Sequence, residues 1–157
     1  NKQVVEDSWQ LLDSDASEFP DGPIIVSLPS WQAHRDTLAQ RQQLGIWLDS
    51  DQSPALIADD ISQFQLIAIN FPGFADGRGF SYGRELREKW HFEGELRAIG
   101  AFMRDQLFYL QRCGFNAFAL QQNDDGSSIE AALSSLNDFS TGYQAAMDEK
   151  QPLFYRR

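Results

Sequence analysis

The chain has 157 residues, 13 Lys and Arg against 23 Asp and Glu, and a formal net charge of −10. That length fits one domain spanning 1–157 with its own core, and a composition that is 42% hydrophobic and 13% aromatic excludes a disordered chain. The acidity argues against nucleic acid as a partner, since nonspecific binding needs a basic footprint, and no apolar run approaches the roughly 20 residues of a membrane span.

Residues 1–22 read as an acidic, turn-rich N-terminal extension in which Val4, Val5, Trp9, Leu11 and Leu12 can dock on a core as a strand or short ribbon. Ile24 to Leu28, an apolar run between prolines, reads as a strand. Ser30 is placed to cap a helix running to about Gln43. Leu44 to Leu48 is the second strand. After the polar turn Asp49-Ser50-Asp51-Gln52, Ser53 caps a helix whose first residue is Pro54, with Leu56, Ile57, Ile61 and Phe64 on one side.

Leu66 to Phe71 is the clearest strand, apolar on both faces apart from Asn70, so it belongs in the middle of a sheet covered on both sides. A glycine-rich loop, Gly73 to Gly79, leads into a helix over about Phe80–Trp90. Glu95 to Ile99 is a weaker strand, followed by a helix from Met103 to Cys113 that Gly114 closes. Asn116 to Leu120 is the fifth strand, and Ser127 with Glu130 forms a capping box for a further helix. The tail over 145–157 reads as loosely docked.

These strand starts, at 24, 44, 66, 95 and 116, recur every 20 to 29 residues. Alternation at that period predicts an α/β fold: a mostly parallel sheet of about five βα units, open and doubly wound or partial-barrel-like, with one edge covered by the N-terminal segment or by a second copy in a homodimer.

In such folds ligands bind beyond the carboxyl ends of the strands. The longest insertion there is the loop after the third strand, where Gly77 and Gly79 flank Arg78 and Asp76 precedes them. Backbone amides in a loop of this kind, together with the following helix N-terminus, suit an anion. The competing reading is a tight turn in which Asp76 caps the helix and pairs with Arg78. Arg104 opens a helix after the fourth strand, an end that disfavours a cation unless an anion offsets it. Arg78 and Arg104, with Gly77 and Gly79, therefore form the expected anion site, for sulfate, sulfite or a phosphate group. Asp76, Asp105, Gln106, Asn70 and Gln121 make its polar edge.

The spacing Gly77-x-Gly79-x-x-x-Gly83 departs by one from a dinucleotide fingerprint and follows the third strand instead of the first. The stretch from Pro72 to Arg112 has seven basic and six acidic residues, a net +1 that leaves −11 for the rest of the chain. The interleaved Arg84, Glu85, Arg87 and Glu88 read as a salt-bridged, solvated helix face. A single cysteine, Cys113, and two distant histidines, His34 and His91, exclude an intrachain disulfide and argue against an iron–sulfur cluster or structural zinc. They point to no resident metal and to a reduced, cytoplasmic compartment. Cys113, at a helix C-terminus, reads as packed and not as a nucleophile.

The stretches from Leu66 to Ser81, from Gly94 to Gly100, from Arg104 to Leu107 and from Arg112 to Phe118 resemble the bacterial family catalogued as domain of unknown function 934, over about residues 1–140. The resemblance implies a place in assimilatory sulfite reduction, where members are described as oxidoreductases. It implies no catalytic residues, and Asn70 and Asn116 stand where the family pattern carries Asp. Two classes of function follow. One is an accessory protein that binds sulfite reductase or its electron donor, and an oxyanion as well, for which a charge of −10 suits a basic partner. The other is an oxidoreductase subunit, which needs a noncovalent flavin or NADP because no cofactor is visible in the chain's own residues.

Overall fold

The computed structural model describes residues 5–73, 75–120 and 134. They form a six-stranded, all-parallel sheet in the order β1-β2-β3-β4-β5-β6. The strands are β1 (Gln10–Leu11), β2 (Ile24–Ser27), β3 (Leu44–Leu48), β4 (Leu66–Phe71), β5 (Glu95–Gly100) and β6 (Ala117–Phe118). Between them lie α1 (Leu28–Leu38), a 3₁₀ helix (Pro54–Gln63), α2 (Arg78–Glu88), a 3₁₀ turn (Arg104–Gln106) and α3 (Leu107–Arg112).

The strand order equals the chain order. Crossovers of one hand then carry every helix to the same face, and the sheet curls into a half-barrel. Of the two expected forms, the partial barrel is therefore the one present, and the doubly wound form, which needs a reversal of strand order, is not. The strand count is one higher than the five units expected, because β1 from the N-terminal segment pairs in parallel with β2. The segment thus covers an edge, as expected, and is a strand of the barrel as well as an extension.

Period-2 alternation divides each strand between two apolar layers. Ile24, Val26, Leu44, Ile46, Leu48, Ile67, Ile69, Phe71, Leu96 and Ala98 point to the helices, where Trp31, Leu38, Ile57, Leu86, Leu107 and Leu110 complete the larger core. Ile25, Leu66, Ala68 and Ile99 point the other way, to a smaller concave layer joined by Trp9 and Trp47. β4 sits between β3 and β5, and five of its six residues are buried, which confirms it as an interior strand.

Several local expectations change. Helix α1 starts earlier than expected: Ser27, not Ser30, is its N-cap, and the Ser27 Oγ accepts from the Ser30 amide. Pro29 in its first turn fits that start. The helix ends at Leu38 instead of Gln43, and it is kinked at His34, whose ring meets Phe19 edge-on. The segment after Ser53 is 3₁₀, so Pro54, Ile57 and Ile61 are buried while Leu56 faces solvent. The helix expected over 103–113 is split into the 3₁₀ turn and α3. The capping box at 127–130, the helix beyond it and the tail over 145–157 lie outside the described residues.

Arg84–Glu88 and Lys89–Glu85 form exposed i,i+4 pairs, as the helix-face reading requires. Arg87 does not belong with them. It is half-buried, donating through Nε to the Gly114 carbonyl (3.0 Å) and through one terminal nitrogen to the carbonyls of Phe92 and Gly94. It therefore ties α2 to the turn before β5 and to the exit of α3. Gly114 has φ +100°, and a Cβ there would lie 2.5 Å from the Arg87 Cγ, so both backbone and packing require glycine. Burial lowers the Arg87 pKa from its ordinary value, with Glu93 opposing the shift. We expect Arg87→Met, which keeps the stem and removes three donors, to lower unfolding stability by about 1–3 kcal/mol in urea melts. An unchanged midpoint would show the tie to be dispensable.

Candidate functional site

The carboxyl ends of β3 and β4 meet in one polar network. β3 exits into Asp49 and Ser50, and β4 contributes Asn70 just before its end. The Asn70 Nδ2 donates to the Asp49 Oδ1 at 3.0 Å, and the same oxygen accepts from the Ser50 amide at 2.8 Å. The loop after β4 adds Asp76 and Arg78, and α2 adds Tyr82. Arg78 donates from Nε to Asp76 Oδ1 (3.0 Å) and from one terminal nitrogen to Asp76 Oδ2 (2.7 Å) and Ser50 Oγ (2.9 Å). The Tyr82 hydroxyl donates to the Ser50 carbonyl at 2.9 Å. Ser50, only 7% exposed, is the hub that joins the two strand exits.

This forked pairing sets the electrostatics. The Arg78 guanidinium, through its side-chain hydrogen bonds, holds the Asp76 carboxyl far below the usual carboxylate range, and the Arg78 amide adds to the effect. The Arg78 pKa is raised by the same partner. A carboxylate held that low stays ionised at any physiological pH, so it neither gives nor takes a proton there.

The expected anion site is rearranged accordingly. Arg78 takes the pairing reading: Asp76 occupies one side of its fork. Asp76 accepts the Arg78 amide at 3.2 Å, while the N-cap position itself falls on Gly77, which has no side chain to cap with. Gly77 has φ −87°, an ordinary value, and no atom lies where its Cβ would be. Gly79 and Gly83 are packing residues. A Cβ on Gly79 would come within 2.6 Å of the Phe71 ring, and one on Gly83 would collide with the Phe115 ring. They let α2 lie close on the sheet, which explains the near-fingerprint spacing without a dinucleotide.

Arg104 and Asp105 are exposed on the 3₁₀ turn that follows β5, the strand beside β4. Arg78 and Arg104 thus leave adjacent strands at the same edge. The Gln106 Oε1 accepts from the Met103 amide at 2.8 Å, which fixes that turn. Gln121 lies outside the described residues. Asn116 is structural: its Oδ1 accepts from the Leu96 amide, and its own amide donates to the Leu96 carbonyl. Cys113 is half-buried at the end of α3 and packs against the core, and His91 is a turn residue with φ +53°.

The expected site residues did not include Asp49, Ser50 or Tyr82, although the turn Asp49-Ser50 was expected at the carboxyl edge. Strand-exit position was the available signal for Asp49 and Ser50. Tyr82 one turn into α2 carried none, because nothing local distinguishes it from a core-facing tyrosine.

A parallel half-barrel with its polar residues gathered at the carboxyl edge is the class of protein that this fold and site define. The chain belongs to the bacterial family of unknown function DUF934, whose family model matches residues 45–154. That match takes in β3 to β6 and every residue of the network. No curated protein and no solved structure matches the chain. Among the described residues, no helix is long and apolar enough to cross a membrane.

The Asp76 shift has a direct test. Its pKa is lowered in the folded state, so its contribution to stability is complete above the unfolded value of about 3.9 and is lost as pH falls through the lowered one. Carbon-detected NMR should find the Asp76 carboxyl still ionised at pH values where other exposed carboxylates have protonated. In Arg78→Ala it should titrate near the ordinary value. An ordinary titration in the wild type would contradict the pairing.

Proposed function

We propose that this protein is an accessory, binding component of assimilatory sulfite reduction that docks on sulfite reductase or its electron donor. The observation that carries this reading is the closed network at the carboxyl edge. Asp76, Arg78, Ser50, Asp49 and Asn70 are joined by hydrogen bonds, and the most perturbed carboxylate is held in its ionised form. Such a network stiffens a surface; it is not poised for proton transfer. The pathway follows from the family resemblance, and the charge of −10 supports a basic partner surface. Within this reading Asp76 already neutralises the Nε side of the Arg78 fork, which leaves an oxyanion at Arg78 and Arg104 only the other side, so sulfate or sulfite binds more weakly than it would to an unpaired guanidinium.

Three measurements test the proposal. Natively purified protein should show no visible flavin bands, and it should bind the purified reductase holoenzyme or its donor with an affinity that falls as salt rises. Calorimetry with sulfite should give little heat. A stoichiometric flavin or NADP, with turnover, would overturn the accessory reading in favour of an oxidoreductase subunit.

A further inference from the structure

The concave side of the half-barrel carries an open groove of about 530 Å³, lined by Leu11, Asp13, Asp15, Trp47, Asn70 and Ile99 among others. Its floor is the concave apolar layer, and its lip is the turn that follows β1. That lip is held in place from below. The Trp47 Nε1 donates to the Leu12 carbonyl at 3.0 Å. The buried hydroxyls of Ser27 and Ser30 donate to the carbonyls of Ser14 and Ala16, both at 2.8 Å. The Ala16 amide returns to the Asp13 carbonyl. The lip is held through its own backbone groups, so the side chains of Asp13 and Asp15 are not spent on it, and both residues are exposed.

Among the described residues that line the groove, two are carboxylates and none is a cation. Asn70 in the lining donates to a further carboxylate, Asp49. On the same concave face Arg97 is clamped between Asp7 and Glu95. Leu11 at the rim is 51% exposed, a large apolar side chain left in water. The chemistry is therefore a tryptophan ring and an apolar floor beside an acidic lip. It attracts an ammonium or guanidinium on an apolar stem and repels an oxyanion. The groove is open, so it accepts side chains presented by another chain more readily than it encloses a free molecule.

We infer that this groove is where the protein docks a partner protein, through a segment that sets lysine or arginine beside an apolar side chain. The inference rests on the accessory reading and names the partner's chemistry at a defined place: the carboxylates of Asp13 and Asp15 take the cation, and Leu11, Trp47 and Ile99 take the apolar neighbour.

Two arms separate this site from the reading beneath it. In the first, the full chain is titrated with a synthetic peptide alternating arginine and leucine, followed by amide and indole NMR. Binding should shift the Trp47 indole and the amides of residues 11–15, and an alternating glutamate and leucine peptide should not. Asp13→Lys/Asp15→Lys should weaken the arginine peptide about tenfold or more. Asp36→Lys/Asp59→Lys, with the same change in net charge on the helix-covered side, should leave it within about twofold. Equal losses in both pairs, or shifts spread over the helix face, would overturn the groove assignment. The second arm repeats both variants with the reductase holoenzyme and with its electron donor. Wild-type binding lost only in the Asp13/Asp15 pair supports the groove. Wild-type binding unchanged in that pair overturns the groove and keeps the accessory reading. No wild-type binding to either protein overturns the accessory reading itself.

Discussion

An interior strand of a parallel sheet is buried on both faces, and the rest of this structure depends on that constraint. β4 is apolar on both sides, so both sides need a cover. The helices supply one, because a sheet whose strands follow chain order receives all its crossovers on one face. Among the described residues the other face has no helix of its own. It is covered in part by Trp47 and by the N-terminal segment, which brings Trp9 and adds β1 to the edge. The acidic residues of that segment thereby come to stand over the concave side. Fold, edge and groove are in this sense one solution to one burial requirement.

The carboxyl edge has a different logic. Strand exits leave amides and carbonyls without ladder partners, and here they are satisfied by a compact set of side chains around Ser50. The network keeps a guanidinium and a carboxylate together at a place where many parallel α/β proteins hold a substrate. The contact between α2 and the sheet is made close by Gly79 and Gly83, and Arg87 fastens the far end of the same helix. The loop that looks ligand-shaped in sequence is thus occupied by internal packing and pairing.

Much of the fold was legible because its signals are local and redundant. The runs at 24, 44 and 66 are short, apolar and bounded by turn residues, the one at 95 alternates charged and apolar residues, and their spacing leaves few architectures. The strand at 10–11 was weaker, since two residues carry no periodicity. Ser27 lost the capping assignment to Ser30 because both are serines at plausible offsets, although Pro29 in the first turn fits the earlier start. The site was legible in position but not in state. The position of Arg78 at the edge follows from topology, whereas its choice of Asp76 over a ligand is a matter of side-chain geometry two residues apart. The 3₁₀ geometry after Ser53 also had no sequence marker, because Pro54 suits the first turn of either helix type.

The matching of strand order to chain order has one further consequence. Every strand's ladder partners lie one unit away along the chain, so the longest loop that any pairing must close is the span of a single βα unit. The entropy of bringing partners together is then nearly the same for each addition. Assembly can begin at β4–β5, the pair with the longest run of register, and proceed outward in both directions like a solenoid gaining repeats. The two-residue strands at either end are the last turns of that process, and the N-terminal one brings the tryptophan cover and the acidic lip with it. In that order the floor of the concave surface comes first and its acidic lip last.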